Sequence, residues 1–385
     1  MGAARVGILG GGQLALMTAE AAPALGVEVY VLEREAGSPA GLVVGPDHEL
    51  VGDWRDERAR GALAERVDLI TLENEFVDAA ALDWLVERGC PVYPAPGAIR
   101  LIQDKLDQKA RLAAAGLPVP RFRPVSSPDD VLAAADELGW PLVLKARRNG
   151  YDGYGNALVR TAAEVEPALG RLGGGTSAGG PGGLYLEQWV PFERELACMV
   201  VRGRGGEPLP YPVVETVQRQ HICHEVVAPA DLPPEVDARA RQAAVGAVAA
   251  TGAVGVVGVE LFLLPDGRVL VNELAARPHN SGHYTIEGCR SSQFANHLLA
   301  VLGRRLGSAE LVRPAAAMVN LLGTTSGPAA PGGVAAASAR PDTYLHIYGK
   351  RQVRPGRKMG HVTALAASPE EALARARQAA ALISW

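Results

Sequence analysis

Apolar and polar positions alternate in a clear rhythm from the first residues. "RVGILG" reads as a buried strand, and "GGQLALMTAEAAPALG" as a helix ending near Gly26. "VEVYVLE" is a second strand and "VDLITLENE" a later one. Strand, helix, strand in this order predicts a parallel sheet covered by helices. The unit extends to about residue 100 and reads as Rossmann-like.

The middle of the chain changes character. Residues 104–117 read as a helix with its charges on one side. "SPDDVLAAADELG" carries a complete set of helix signals: Ser127 as cap, Pro128 at the first turn, early acids, and Gly139 as stop. "PLVLKAR" is then a strand, "NGYDGYGN" a glycine-rich loop and "ALVR" a returning strand. "GGGTSAGGPGG" (173–183) has the composition of a mobile surface loop. "LYLEQWV", "RELACMVVR" and "GVELFLL…RVLVNELA" add strands, which makes this region α+β. A connecting segment (323–341) leads to a small terminal unit, with "TYLHIYGK" as a strand and "SPEEALARARQAAALI" as a capped helix. No internal repeat is present.

Composition narrows the class. A chain of 385 residues calls for two or three domains. The net charge of -4 supplies no basic field for nucleic acid. Cys90, Cys198, Cys223 and Cys289 form no CxxC pair, which fits a reducing cytoplasm rather than a disulfide scaffold. No run approaches the roughly 20 apolar residues of a membrane span. The expectation is a cytoplasmic protein with no membrane or nucleic-acid partner.

Several stretches carry candidate chemistry. Gly10-x-Gly12-x-x-Ala15, followed by Glu33, fits a dinucleotide fingerprint and keeps a nicotinamide oxidoreductase open as one reading. In "VELFLLPDGRVLVNEL", Asp266-Gly267 reads as a two-residue hairpin turn, so that paired positions sum to 533 and Glu260 faces Glu273. Two opposed carboxylates repel unless a cation lies between them, and hard oxygen ligands suit Mg²⁺; a solvated outer face is the simpler alternative. "VLKARRNGYDGYGN" places Lys145 before a loop whose backbone could approach phosphate, and Lys105 in "IQDKLDQK" is a second such lysine. Glu187 in "YLEQWV" lies at a strand edge, where these residues alone favour an ordinary exposed acid. "NELAARPHNSGHYT" gathers Arg277, His279, Asn280, Ser281 and His283 in one loop, which suggests that it faces a ligand. "GKRQVRPGRKMGH" holds Lys350, Arg351, Arg354, Arg357 and Lys358 with no acid among them, either a solvated face or a phosphate site. His221 and His224 in "HICH" read as structural.

Taken in order, "GILGGGQLALM", "TLENEFV", "QDKLDQK", "KARRNGYDGYGN", "EQWVPFERELACMVVR", "VELF…VNELAARPHNSGHYT" with "SSQF", "MVNLLG" and "HIYGKRQVRPGRKMGHVT" resemble the 5-(carboxyamino)imidazole ribonucleotide synthases, ATP-grasp ligases of purine biosynthesis. The resemblance implies a Rossmann-like N-terminal domain (1–103), an ATP-grasp region of two subdomains (104–310), a small C-terminal domain (311–385), and a homodimer. It implies ATP-dependent carboxylation of aminoimidazole ribonucleotide by bicarbonate, through carboxyphosphate, with ATP and Mg²⁺ bound. Carried over residue by residue, Lys105 and Lys145 contact ATP phosphates under a loop formed by Gly150, Tyr151, Asp152, Gly153, Tyr154, Gly155 and Asn156. Glu187, Gln188, Trp189 and Val190 line the adenine pocket, Glu195 takes the ribose, and Gln218 lies beside the nucleotide. Glu260 and Glu273 hold Mg²⁺ with Asn272 beside them. Gln13, Leu14, Glu73, Asn280 and Ser281 bind the ribonucleotide, with Lys350, Arg357 and Lys358 on its phosphate. Tyr151, Asp152, Arg277, His279 and Lys358 are the implied catalytic set, with Asp152 a candidate base. The chain departs from the family pattern at Gln218 (a histidine in "ENVHR"), at Tyr154 and Asn156 (arginine and glutamine in "GYDGRGQ"), and in "GGGQLALM", where the family has "GGGQLGRM". Another ATP-grasp ligase, such as the formate-using glycinamide ribonucleotide transformylase, and a non-catalytic nucleotide-binding regulator are the remaining alternatives.

Overall fold

A computed structural model describes residues 2–150, 155–173 and 183–385. The strands form three sheets and a short two-stranded ribbon. β1 (Ala4–Leu9), β2 (Val27–Glu33), β3 (Glu49–Val51) and β4 (Leu69–Leu72) form a parallel sheet in the order β3-β2-β1-β4. All four residues of β4 are buried, as expected of a parallel strand covered on both faces. The first helix is shorter than its apolar pattern: Gln13–Ala21, then a 3₁₀ turn at Pro23–Leu25, with Gly26 left-handed as the stop.

β5 (Phe122–Val125), β6 (Leu142–Ala146), β7 (Asn156–Val159) and β8 (Leu184–Gln188) form a small antiparallel sheet ordered β5-β8-β6-β7. The helix Pro128–Leu138 packs on it and begins with the expected cap, a reciprocal Ser127–Asp130 capping box. Most of the glycine-rich segment 173–183 lies outside the described residues.

The largest sheet holds β9 (Arg194–Arg202), β10 (Pro208–Pro210), β11 (Val214–Arg219), β12 (Ile222–Ala228), β13 (Gly255–Leu263), β14 (Val269–Ala275) and β15 (Ala315–Leu322). β16 (Gly327–Pro328) pairs with β18 (Gln352–Val353) as a separate ribbon. β17 (Thr343–Ile347) and β19 (Lys358–Ala366) extend the large sheet, because β15 pairs with β12 on one side and β19 on the other. The C-terminal unit is thereby joined to the central one through the sheet, with the helix Pro369–Ala380 packed on β15 and β19. No helix among the described residues is long and apolar enough to cross a membrane.

The β13–β14 hairpin reaches its expected pairing by a different route. The turn holds three residues, not two: Gly267 N–H donates to Leu264 C=O, Leu264 N–H to Arg268 C=O, and Gly267 is left-handed at φ +79. Pairs near the turn therefore sum to 532, as in Leu263 with Val269. A bulge between Glu260 and Leu261 inserts one residue of β14, and Glu260 returns to register opposite Glu273. Neighbouring strand residues ordinarily point to opposite faces. The bulge removes that constraint, so Asn272 and Glu273 both line the same cavity.

Candidate active site

All three units contribute walls to one cavity of about 1530 Å³. Among the described residues it is lined by Gln13, Leu14, Glu73, Lys105, Lys145, Gly150, Asn156, Glu187, Gln188, Trp189, Val190, Glu195, Gln218, Glu260, Asn272, Glu273, Arg277, His279, Asn280, Ser281, Lys350, Arg357 and Lys358. Gly155 is not in the lining; its carbonyl accepts from Ala146 N–H at the end of β6. Tyr151, Asp152, Gly153 and Tyr154 lie outside the described residues.

The backbone of the opening glycine loop is packed on the protein's own carboxylates. A Cβ on Gly12 would come within 2.0 Å of Glu73 Oε1, and one on Gly10 within 2.7 Å of Oε2. Glu73 accepts the backbone N–H groups of Gly12 and Leu14, while Glu33 accepts Gly11 N–H at 2.8 Å. Backbone donors that would serve a pyrophosphate are thus occupied by the protein's own carboxylates. Glu33 secures the loop rather than reaching for a ribose, which removes the only support for a nicotinamide site.

One end of the cavity is built on paired lysines. Lys105 opens the helix Lys105–Ala114, and its Nζ bonds to Glu273. Asp104 caps that helix and also pairs with Arg147 at 2.8 and 2.9 Å, two residues beyond Lys145, so the helix start and the end of β6 are pinned together. Lys145 Nζ lies 2.7 Å from Glu187 Oε2, Lys109 Nζ lies 3.2 Å from Oε1, and Tyr185 donates to Oε1 at 3.0 Å. The reading of Glu187 as an exposed edge acid is therefore wrong: β8 is an inner strand and Glu187 is 2% exposed. Burial pushes its carboxyl up, but the two lysines outweigh that and hold it at about 2. Burial lowers Lys109 to about 8 against the pull of Glu187. Trp189 and Phe192 stay partly exposed, and the Phe192 ring stacks on Phe262 at 4.6 Å. Gln218 hydrogen-bonds Glu195, whose carboxyl is raised by burial.

At the centre, the two opposed glutamates are driven apart in acidity. Burial and the Glu273 charge raise Glu260. Burial also opposes ionisation of Glu273, but Lys105 outweighs it and holds Glu273 below the usual range. Asn272 Nδ2 lies 3.4 Å from Glu260 Oε2, and Asn272 Oδ1 is buried with no hydrogen-bond partner. Two carboxylates and an unsatisfied amide oxygen form a hard-oxygen set that fits Mg²⁺.

The far wall comes from the loop after β14. Glu75 grips Arg277 through both carboxylate oxygens. His279 Nδ1 accepts Ser281 N–H, leaving Nε2–H to face Glu260 Oε1 at 3.5 Å. Burial, Arg277 and Lys358 depress His279 to about 3, so this contact is a neutral imidazole beside a carboxyl and not an ion pair. The Asn280 and Asn320 amides bond reciprocally at 2.7 and 3.0 Å, which ties the loop to β15. Lys350 Nζ donates to Lys358 C=O and Arg357 to Gln352 C=O. His283 and Arg354 also line the cavity, as does His221 at the tip of the β11–β12 hairpin. Glu75, Asp104 and Lys109 were legible only as members of "TLENEFV" and "QDKLDQK"; their pairing needed the fold.

Comparisons with known proteins agree along the chain. Residues 3–103 match the ribonucleotide synthetase preATP-grasp domain, 110–294 the ATP-grasp domain, and 316–375 the phosphoribosylaminoimidazole carboxylase C-terminal domain. The N5-carboxyaminoimidazole ribonucleotide synthase of Synechococcus elongatus is 42% identical, covering 98% of this chain and 93% of its own. The crystal structure of the Thermotoga maritima synthetase superposes with a TM-score of 0.86 at 38% identity, covering 99% of both chains. That of the Aspergillus clavatus synthase, in complex with ADP and 5-aminoimidazole ribonucleotide, gives 0.88 at 37% identity over 99% of this chain and 98% of the other. The chain therefore belongs to the N5-carboxyaminoimidazole ribonucleotide synthase family, ATP-grasp ligases that carboxylate 5-aminoimidazole ribonucleotide with bicarbonate and ATP.

Proposed function

We propose that the two ends of the cavity divide the substrates: ATP at the Lys105–Lys145–Glu187 end, and aminoimidazole ribonucleotide between Glu73, Arg277 and the 350–358 segment. The convergence of the glutamate pair, the two lysines, Arg277 and His279 on one cavity supports this most directly. Trp189, Phe192 and Phe262 offer apolar surface for the adenine, and Glu195 an acceptor for ribose hydroxyls.

Bicarbonate is a poor electrophile. Transfer of the ATP γ-phosphoryl to a bicarbonate oxygen gives carboxyphosphate and ADP; attack by the ribonucleotide amine on its carbonyl carbon then expels phosphate and leaves the carbamate. Lys105 and Lys145 stabilise charge on the phosphoryl oxygens. Arg277, held by Glu75, orients bicarbonate, and neutral His279 donates Nε2–H to an oxygen as charge builds. The amine proton leaves to a base, for which Asp152 is the candidate. Glu260, Glu273 and Asn272 would hold Mg²⁺, which would supply Lewis-acid neutralisation of the phosphate charge. Gln13, Leu14, Asn280 and Ser281 complete the ribonucleotide wall, and Lys350, Arg357 and Lys358 bind its phosphate. The enzyme acts as a homodimer in a reducing cytoplasm, a compartment that suits its four buried free cysteines.

The test is phosphate release from ATP with Mg²⁺ and bicarbonate, with and without aminoimidazole ribonucleotide. Strong stimulation by the ribonucleotide is expected. Hydrolysis that the ribonucleotide leaves unchanged would overturn the assignment of the acceptor site.

A further inference from the structure

The stretch "SSQF" has no part in the chemistry above, yet it lies behind the loop that carries Arg277, His279, Asn280 and Ser281. Ser292 caps the helix Gln293–Val301 by accepting Ala295 N–H at 3.1 Å. Gln293, the first helical residue, has no exposed surface. Its Oε1 accepts His279 N–H at 2.9 Å, and its Nε2 donates to His279 C=O at 2.8 Å. The same Nε2 lies 3.2 Å from His283 Nδ1. Its backbone N–H donates to Thr285 Oγ1 at 2.9 Å, and that hydroxyl donates to Gly282 C=O at 2.6 Å.

One side-chain amide therefore satisfies both main-chain groups of His279, as an adjacent strand would. Space is cleared for it. A Cβ on Gly282 would lie 2.4 Å from Gln293 Oε1, and one on Gly258 would lie 2.6 Å from the Cβ of His279. The helix behind is anchored, since Phe294, Leu298 and Val301 share an apolar cluster with Val6 and Ile8. An apolar side chain at position 293 would leave the buried His279 N–H unpaired and its C=O held by the Gly282 N–H alone. The loop would then shift toward other partners, and the His279 imidazole would move with it.

We propose that Gln293 is a positioning residue for the carboxylation step: by gripping the His279 backbone it sets the His279 imidazole and the neighbouring Arg277 guanidinium. This rests on the reading that those two groups meet bicarbonate and ribonucleotide.

The test compares full-length Gln293→Leu, Gln293→Glu and His279→Ala by ribonucleotide-stimulated phosphate release, with circular dichroism to count folded enzyme. Misplacement of a reacting group predicts that Gln293→Leu lowers kcat by about 10- to 100-fold while the KM for ATP stays within about twofold. Gln293→Glu keeps the acceptor for His279 N–H but loses both donors, and it should retain more activity than the leucine variant. If kcat per folded Gln293→Leu enzyme matches the parent while His279→Ala is inactive, the positioning role is overturned and the site assignment stands. Full activity in His279→Ala overturns that assignment, and the proposal with it. Should the leucine variant not fold, the glutamate variant decides: lowered kcat with unchanged ATP KM supports the role, and parental kcat overturns it.

Discussion

The two ends of the cavity treat positive charge in opposite ways. At one end Lys105, Lys109 and Lys145 are each held by a carboxylate, Glu273 for the first and Glu187 for the other two. At the other end Lys350 and Arg357 bond to backbone carbonyls, Lys358 C=O and Gln352 C=O. Burial lowers Lys350 to about 8, and Arg357 and Lys358 add to the shift; burial and Arg354 lower Arg357. The first arrangement is nearly neutral before any ligand arrives and suits a ligand that brings its own cation. The second accumulates positive charge and suits a bare phosphate monoester.

The sharpest way to break this comparison is Glu187→Gln. It leaves two buried lysines without a carboxylate, at a cost of about 3–5 kcal/mol in stability, to be read from the urea unfolding midpoint. An unchanged midpoint would mean that pairing at this end does not hold the fold.

Glu273→Gln addresses the ligand side of the same end. Turnover should fall on the order of 10²–10³-fold, with the circular dichroism spectrum unchanged. Full activity would dismiss the glutamate pair as a site of charge stabilisation.

The smallest effect belongs to the basic end. With Lys350 near 8, its charge is present below that pH and lost above it. The KM for ribonucleotide should therefore climb between about pH 7 and 9, by up to about tenfold, and stay flat in Lys350→Arg. An equal rise in both enzymes would assign the titration elsewhere.

Local signals were read well because they are local. The Ser127 cap and the individual strand segments of the first hundred residues depend on neighbours within a few positions. The hairpin was harder. Its pairing of Glu260 with Glu273 came out as expected only because a longer turn and a bulge cancel, two departures that no periodicity count separates. The residues named from the motif resemblance include many that line the cavity, but not Glu75. Lys109 and Gln293, which lie behind the lining, belong to recognised motifs that gave them no individual role.

By itself, then, the sequence determined the strands, the caps, the glycine loop and the order of the motifs, all properties of short stretches. Tertiary structure alone decided what those residues meet. Lys105 finds Glu273 across 168 positions and Arg277 finds Glu75 across 202. The glycine loop wraps Glu73 instead of a pyrophosphate, and Glu187 is buried under two lysines. The physical reason is that charge state, desolvation and hydrogen-bond partners depend on every element packed around a group, and packing brings together residues that no local pattern connects.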